Sequence, residues 1–137
     1  MHCPDQIVSL LKDLIAIHSV NPETGAGGQS GEREVCHYLA ECLRREGQDS
    51  WMEEVFPGRP NLYASLNFGA SQTVLLSAHT DTVAAVGWDM DPFTPREEDG
   101  CIYGRGACDT KASLAVFAHV LLQARRAGRA DCNLLFA

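Results

Sequence analysis

The sequence has no Cys-x-x-Cys pair, although six cysteines stand at positions 3, 36, 42, 101, 108 and 132. That scatter argues against a disulfide framework and for reduced thiols in a cytoplasmic protein. Positive charge is scarce: 11 Lys and Arg against 18 Asp and Glu leave a formal charge of −7. Neither a nucleic acid nor an anionic membrane is then an expected partner. No apolar run approaches the ~20 residues that span a bilayer. The longest runs from Leu114 to Leu122 and is interrupted by His119. No basic segment followed by an apolar core opens the chain, so a signal peptide is not expected. There is no internal repeat, low-complexity tract or linker. Two glycine-rich segments also fail as nucleotide sites. The loop over residues 21–31 follows a helical pattern and has no lysine, and Gly104-x-Gly106 lacks a third glycine where Asp109 stands.

What is present is ordinary for a globular chain. At 137 residues, 45% hydrophobic and 21% charged, it can build one domain with its own core. Apolar spacing predicts a helix over residues 4–17, with Ile7, Leu10, Leu11, Leu14 and Ile15 on one stripe. Ser30 is a candidate N-cap for a second helix that turns Val35, Leu39 and Leu43 inward and stops at Gly47. Strands are expected over residues 50–56, 62–68 and 73–78, with a break at Pro57-Gly58-Arg59-Pro60 between the first two. Asp99-Gly100 marks the turn of a hairpin. A long helix over residues 110–127 buries Leu114, Phe117, Ala118, Leu121 and Leu122, places Arg125 and Arg126 in its last turn, and ends at Gly128. Residues 133–137 open another apolar strand. Alternating strands and helices imply an α/β fold in three layers around a mixed, mostly parallel sheet.

Two motifs carry chemistry on this frame. His79-Thr80-Asp81 follows the short apolar run Thr73–Ala78, which reads as a buried parallel strand. Ligands of open α/β sheets bind beyond the carboxyl ends of strands, where His79 falls. His79 and Asp81 are two apart and so share a face. A metal-bound imidazole commonly gives its second N–H to a carboxylate, a role open to Asp81. Asp109 stands 28 residues further on, after Gly104-Arg105-Gly106 and at the start of the long helix. A carboxylate there can be a metal ligand, can bridge two ions, or can simply favour the helix N-terminus. Lys111 reads as a solvated first-turn residue or a local charge partner, and Cys108 as a small buried filler.

Ser77-Ala78-His79-Thr80-Asp81-Thr82-Val83 resembles the first metal motif of a di-metal amidohydrolase and metallopeptidase family. That family includes acetylornithine deacetylase, succinyl-diaminopimelate desuccinylase, aminoacylase and glutamate carboxypeptidase. Gly104-Arg105-Gly106 with Asp109 and Lys111 resembles its second motif. Trp88, Pro92 and Phe93 are similar to the aromatic–proline segment between them, and Asn21-Pro22 and Arg59-Pro60-Asn61-Leu62 follow the family's N-terminal course. Ala84 and Ala112 stand where proline and glycine are usual, and neither position supplies a ligand.

The resemblance implies that His79 is a ligand of one metal and Asp109 the bridge between two. It makes Asp81 the catalytic-site carboxylate that orients His79. Two divalent ions are implied, zinc first and cobalt as the other choice. So are an N-acyl amino acid or small peptide as substrate, a zinc-peptidase catalytic domain as fold, and a homodimeric full-length protein. It also implies a cis Asp109–Thr110 bond. In that family the strand matching residues 133–137 leads to a Glu-Glu pair that supplies the general base and a further ligand. The expectation is therefore that residues 1–137 form the N-terminal portion of a catalytic domain. On this expectation the rest of that domain and any lid or dimerisation domain are absent, and the 137 residues are inactive alone. Two other readings stay open: a co-catalytic zinc aminopeptidase, and a non-catalytic remnant that keeps part of a metal site.

Overall fold

Apolar stripes of the expected period set the three helices, and the computed structural model describes residues 3–24 and 31–137. Helix α1 (Cys3–Ala16) buries Leu11, Leu14 and Ile15. Helix α2 (Glu32–Arg45) carries Glu32 and Glu34 in its first turn and Arg44 and Arg45 in its last, both favourable to the helix dipole. Val35, Leu39 and Leu43 are buried on its inner stripe. Its end is a Schellman motif: Gln48 N–H donates to the Leu43 carbonyl at 2.9 Å, while Gly47 adopts φ +75°. The N-cap is Gly31; the Ser30 expected there lies outside the described residues. Helix α3 (Lys111–Ala127) ends at Gly128 in the left-handed conformation.

The strands are β1 (Trp51–Phe56), β2 (Arg59–Leu66), β3 (Thr73–Leu76), β4 (Arg96–Glu98), β5 (Cys101–Tyr103) and β6 (Asn133–Phe136). Four of them form a sheet in the order β1-β2-β6-β3, and β4-β5 make a separate hairpin. That hairpin turns at Asp99 (φ 50°) and Gly100 (φ 75°), the paired positive φ values of a tight two-residue turn. The break expected at residues 57–60 is shorter than the sequence suggests. Pro57-Gly58 is the whole turn, and Pro60 lies inside β2 beside a register shift between Glu54 and Phe56. A bulge is where a strand tolerates a residue without an N–H.

The α/β class and the mixed sheet are as expected, but the balance of directions differs. β1–β2 and β2–β6 are antiparallel, and β3–β6 is the parallel pair. The short turn at Pro57-Gly58 forces the first reversal, and β6 inserts between β2 and β3, so sequence neighbours are not sheet neighbours. β3 is accordingly an edge strand, with Val74 and Leu75 exposed, rather than the buried strand its composition suggests. The layering differs too. Pro60, Leu62, Ala64, Leu134 and Phe136 share one sheet face, and the last four join the same core as all three helices. On the opposite face Trp51 stacks on Tyr63, with ring centroids 5.5 Å apart, and Leu75 is 58% exposed. The described residues thus form two layers, helices on one side of a sheet.

Candidate metal centre

The strand that leads to His79 is extended by two more bonds, Ala137 N–H to the Leu76 carbonyl at 2.9 Å and Ala78 N–H to the Ala137 carbonyl at 3.1 Å. The chain then leaves the sheet, and His79 stands just beyond its carboxyl edge. Residues 81–82 are latched to the segment after α1. Thr82 N–H donates to Ser19 O at 2.8 Å, and Asn21 N–H to Thr82 O at 2.7 Å.

The second arm is built by glycines. Gly104 packs so tightly on α1 that a Cβ there would lie 2.5 Å from Ile15 Cγ2. Gly106 has φ +81°, and its Cβ would meet Thr82 Cγ2 at 2.9 Å and Lys111 Cδ at 3.0 Å. This turn delivers Asp109 to the start of α3, and the Asp109–Thr110 peptide bond is cis.

The two arms meet. His79 Nε2 lies 2.9 Å from Asp109 Oδ1, while Nδ1 lies 2.9 Å from the Asp81 carbonyl oxygen and 3.1 Å from Asp81 Oδ1. Burial works against charge on the imidazole, but the bonds to Asp109 and to Asp81 outweigh it, and the pKa is raised above the ordinary 6.5. The Asp109 side chain is 87% exposed, so the meeting point is open to ions and solvent. It borders a cleft of about 230 Å³ lined by Val83, Arg105, Gly106 and Cys108. His79 also lines a second cleft of about 230 Å³, walled by Phe56, Thr80 and the Arg59–Glu32 ion pair. Among the described residues, no three His, Cys, Asp or Glu side chains are grouped to hold a metal. Asp81 sits behind the imidazole, leaving His79 and Asp109 as the two groups that face outward.

Two flanking residues depart from the sequence reading. Cys108 is exposed, not a buried filler. Lys111 is fully buried, not solvated. Its Nζ donates to the Leu14 carbonyl at 2.8 Å and the Ile17 carbonyl at 2.7 Å, both at the carboxyl end of α1. Burial pulls its pKa down to about 8, and the two carbonyls accept from its Nζ. The signal was in the helical period, because Lys111 precedes Leu114, Ala115 and Ala118 on the buried stripe. The aromatic–proline segment serves as packing. Phe93 stacks on His18 at 3.8 Å, and Arg105 lies over Trp88 while donating to the Ala84 carbonyl.

A mixed sheet with helices, a His-x-Asp at a strand end and an aspartate at a helix start define a metallohydrolase-like arrangement. Residues 75–137 match Peptidase family M20/M25/M40. The chain is 40% identical over 115 residues to a succinyl-diaminopimelate desuccinylase from Bordetella pertussis, covering 81% of this chain and 27% of that enzyme. It is 36% identical over 137 residues to a desuccinylase of the same name from Xanthomonas oryzae pv. oryzae, covering 96% and 33%. Its fold superposes on the M20 family metallo-carboxypeptidase Sso-CP2 from Sulfolobus solfataricus with a TM-score of 0.82, at 26% identity, over 96% of this chain and 30% of that one. Human carnosine dipeptidase 1 gives 0.77 at 25% identity, over 96% and 31%. Residues 75–137 thus match the M20 peptidase family model, and the chain spans about a quarter to a third of the length of these relatives.

Proposed function

We propose that residues 1–137 form the N-terminal portion of the catalytic domain of a metal-dependent hydrolase. Its reaction is cleavage of an amide bond in an N-acyl amino acid or small peptide. His79 binds one divalent ion, Asp109 is shared between two, and Asp81 orients His79. The observation that carries this reading is the 2.9 Å approach of His79 Nε2 to Asp109 Oδ1 from two separate segments. Relatives named as desuccinylase, carboxypeptidase and dipeptidase support the reaction class.

The donor chemistry fits zinc, with cobalt as a substitute: one imidazole nitrogen and one carboxylate oxygen, both reachable from solvent. Zinc takes four ligands, so these two residues account for half of one shell. When bound, paired ions of this kind polarise an amide carbonyl and acidify water. The chain's own contribution is positional. Asp81 accepts the Nδ1 proton of His79 and leaves Nε2 facing Asp109. Lys111 and Gly106 hold the turn that carries Asp109 against α1.

The test is cobalt binding by absorption spectroscopy in the wild-type chain, His79→Ala and Asp109→Ala. Weak binding lost in both variants is expected, and binding unchanged in both overturns the site. The 137 residues alone are expected to release no amine from N-acetyl amino acids. Cobalt-dependent release that vanishes in His79→Ala would mean that they already carry a complete site.

A further inference from the structure

An imidazole can offer Nε2 to a cation only while Nδ1 keeps the proton, and the outer bond made by Nδ1 decides this. In this structure that bond is the start of a longer chain of contacts. Nδ1 of His79 faces two oxygens of Asp81, its carbonyl and its carboxylate Oδ1, so Nδ1–H donates. The other carboxylate oxygen, Oδ2, accepts from Asn21 Nδ2 at 2.7 Å. The direction of the Asn21 amide is itself determined. Its Oδ1 accepts the Glu23 backbone N–H at 2.9 Å, so its NH₂ end must face Asp81. The Asn21 backbone is held by the bond to Thr82 O. Arg59, a cation whose charge feels Asp81, bonds to Glu32 instead.

We propose that Asn21 is a positioning residue. By holding the far oxygen of the Asp81 carboxylate, it fixes the near one against Nδ1, and so fixes His79 in the Nδ1–H tautomer with Nε2 turned toward Asp109. This rests on the reading of His79 as a metal ligand. Without Asn21 the carboxylate loses the bond that holds its far oxygen, and Nδ1–H keeps the Asp81 carbonyl but loses a fixed second acceptor, which weakens the preference for its tautomer. A plain turn-forming role for Asn21 is the rival account, and the two use opposite ends of one amide. Asn21→Asp keeps the oxygen that accepts from Glu23 but sets a second carboxylate oxygen against Asp81. Asn21→Ala removes both contacts.

The experiment uses the full chain, free of metal and ¹⁵N-labelled at histidine, at a pH above the imidazole titration range. Long-range ¹H–¹⁵N correlation reports which ring nitrogen carries the proton, with His79→Ala assigning the signals. Cobalt alone is then titrated into each variant, and thermal unfolding is recorded in parallel. The wild type is expected to be Nδ1–H. Both Asn21 variants are expected to shift toward Nε2–H and to bind cobalt about tenfold more weakly, the lower end of the range for groups behind a metal ligand. The proposal is overturned if Asn21→Asp keeps the wild-type tautomer and cobalt affinity while Asn21→Ala changes only thermal stability, which is the turn role. Cobalt binding unaffected by His79→Ala overturns the metal reading instead, and the tautomer measurement then still decides whether Asn21 orients the ring.

Discussion

At the scale of single residues, charge placement explains more than exposure does. His79 is half exposed, yet its two nitrogens both face oxygens of aspartates, and its pKa is raised. The protonated imidazole is therefore favoured in the fold. That contribution is complete below the ordinary histidine value and is lost as pH rises through the raised one. Proton NMR titration is expected to give His79 a pKa above 6.5, and Asp109→Asn should lower it by removing the carboxylate at Nε2. An unchanged titration in Asp109→Asn would show that the contact is not populated in solution. Lys111 is the opposite case, a buried cation whose Nζ donates to two carbonyls and, among the described residues, to no carboxylate. Lys111→Met fits the apolar surroundings but leaves the Ile17 carbonyl without its donor, at about 1–3 kcal/mol, while the Leu14 carbonyl keeps the Ile17 N–H. Urea denaturation should show a loss in that range or above it, and a neutral outcome would mean that solvent reaches the end of α1.

Among elements, the turn before α3 constrains the site most. Gly106 combines a positive φ with contacts to Thr82 and Lys111 that leave no room for a methyl group. Gly106→Ala is expected to cost roughly 1–3 kcal/mol in backbone strain, read as a lowered midpoint in thermal denaturation. It should also weaken cobalt binding by displacing Asp109. This turn, with His79 and Asp81, was legible in the sequence because its determinants are local: an apolar strand, a His-x-Asp, and glycines ahead of a carboxylate. The helices were legible for the same reason. The start of β2 was not, because Pro60 reads as a strand breaker until the bulge opposite it is known. The burial of Lys111 was missed because residue type was weighed above its place on the buried stripe. The antiparallel majority was missed because strand order depends on where β6 inserts, which no short window of sequence records.

Considered whole, the described residues have a filled core on one side of the sheet and apolar side chains on the other, with β1 and β3 at the sheet edges. Sheet edges beside exposed Leu75 and Trp51 favour self-association, which the net charge of −7 opposes. Leu75→Lys should reduce concentration-dependent light scattering while leaving the circular dichroism spectrum unchanged, and equal scattering would place association elsewhere. The segment from Leu14 to Asn21 has a different kind of reach. It receives Lys111 through Leu14 and Ile17, meets Gly104 through Ile15, and joins Thr82 and Asp81 through Ser19 and Asn21. Both arms of the site are thus measured from one datum, as two instruments are bolted to one bench. A disturbance in the last turn of α1, which itself holds no candidate ligand, is therefore expected to reach both His79 and Asp109 through these contacts.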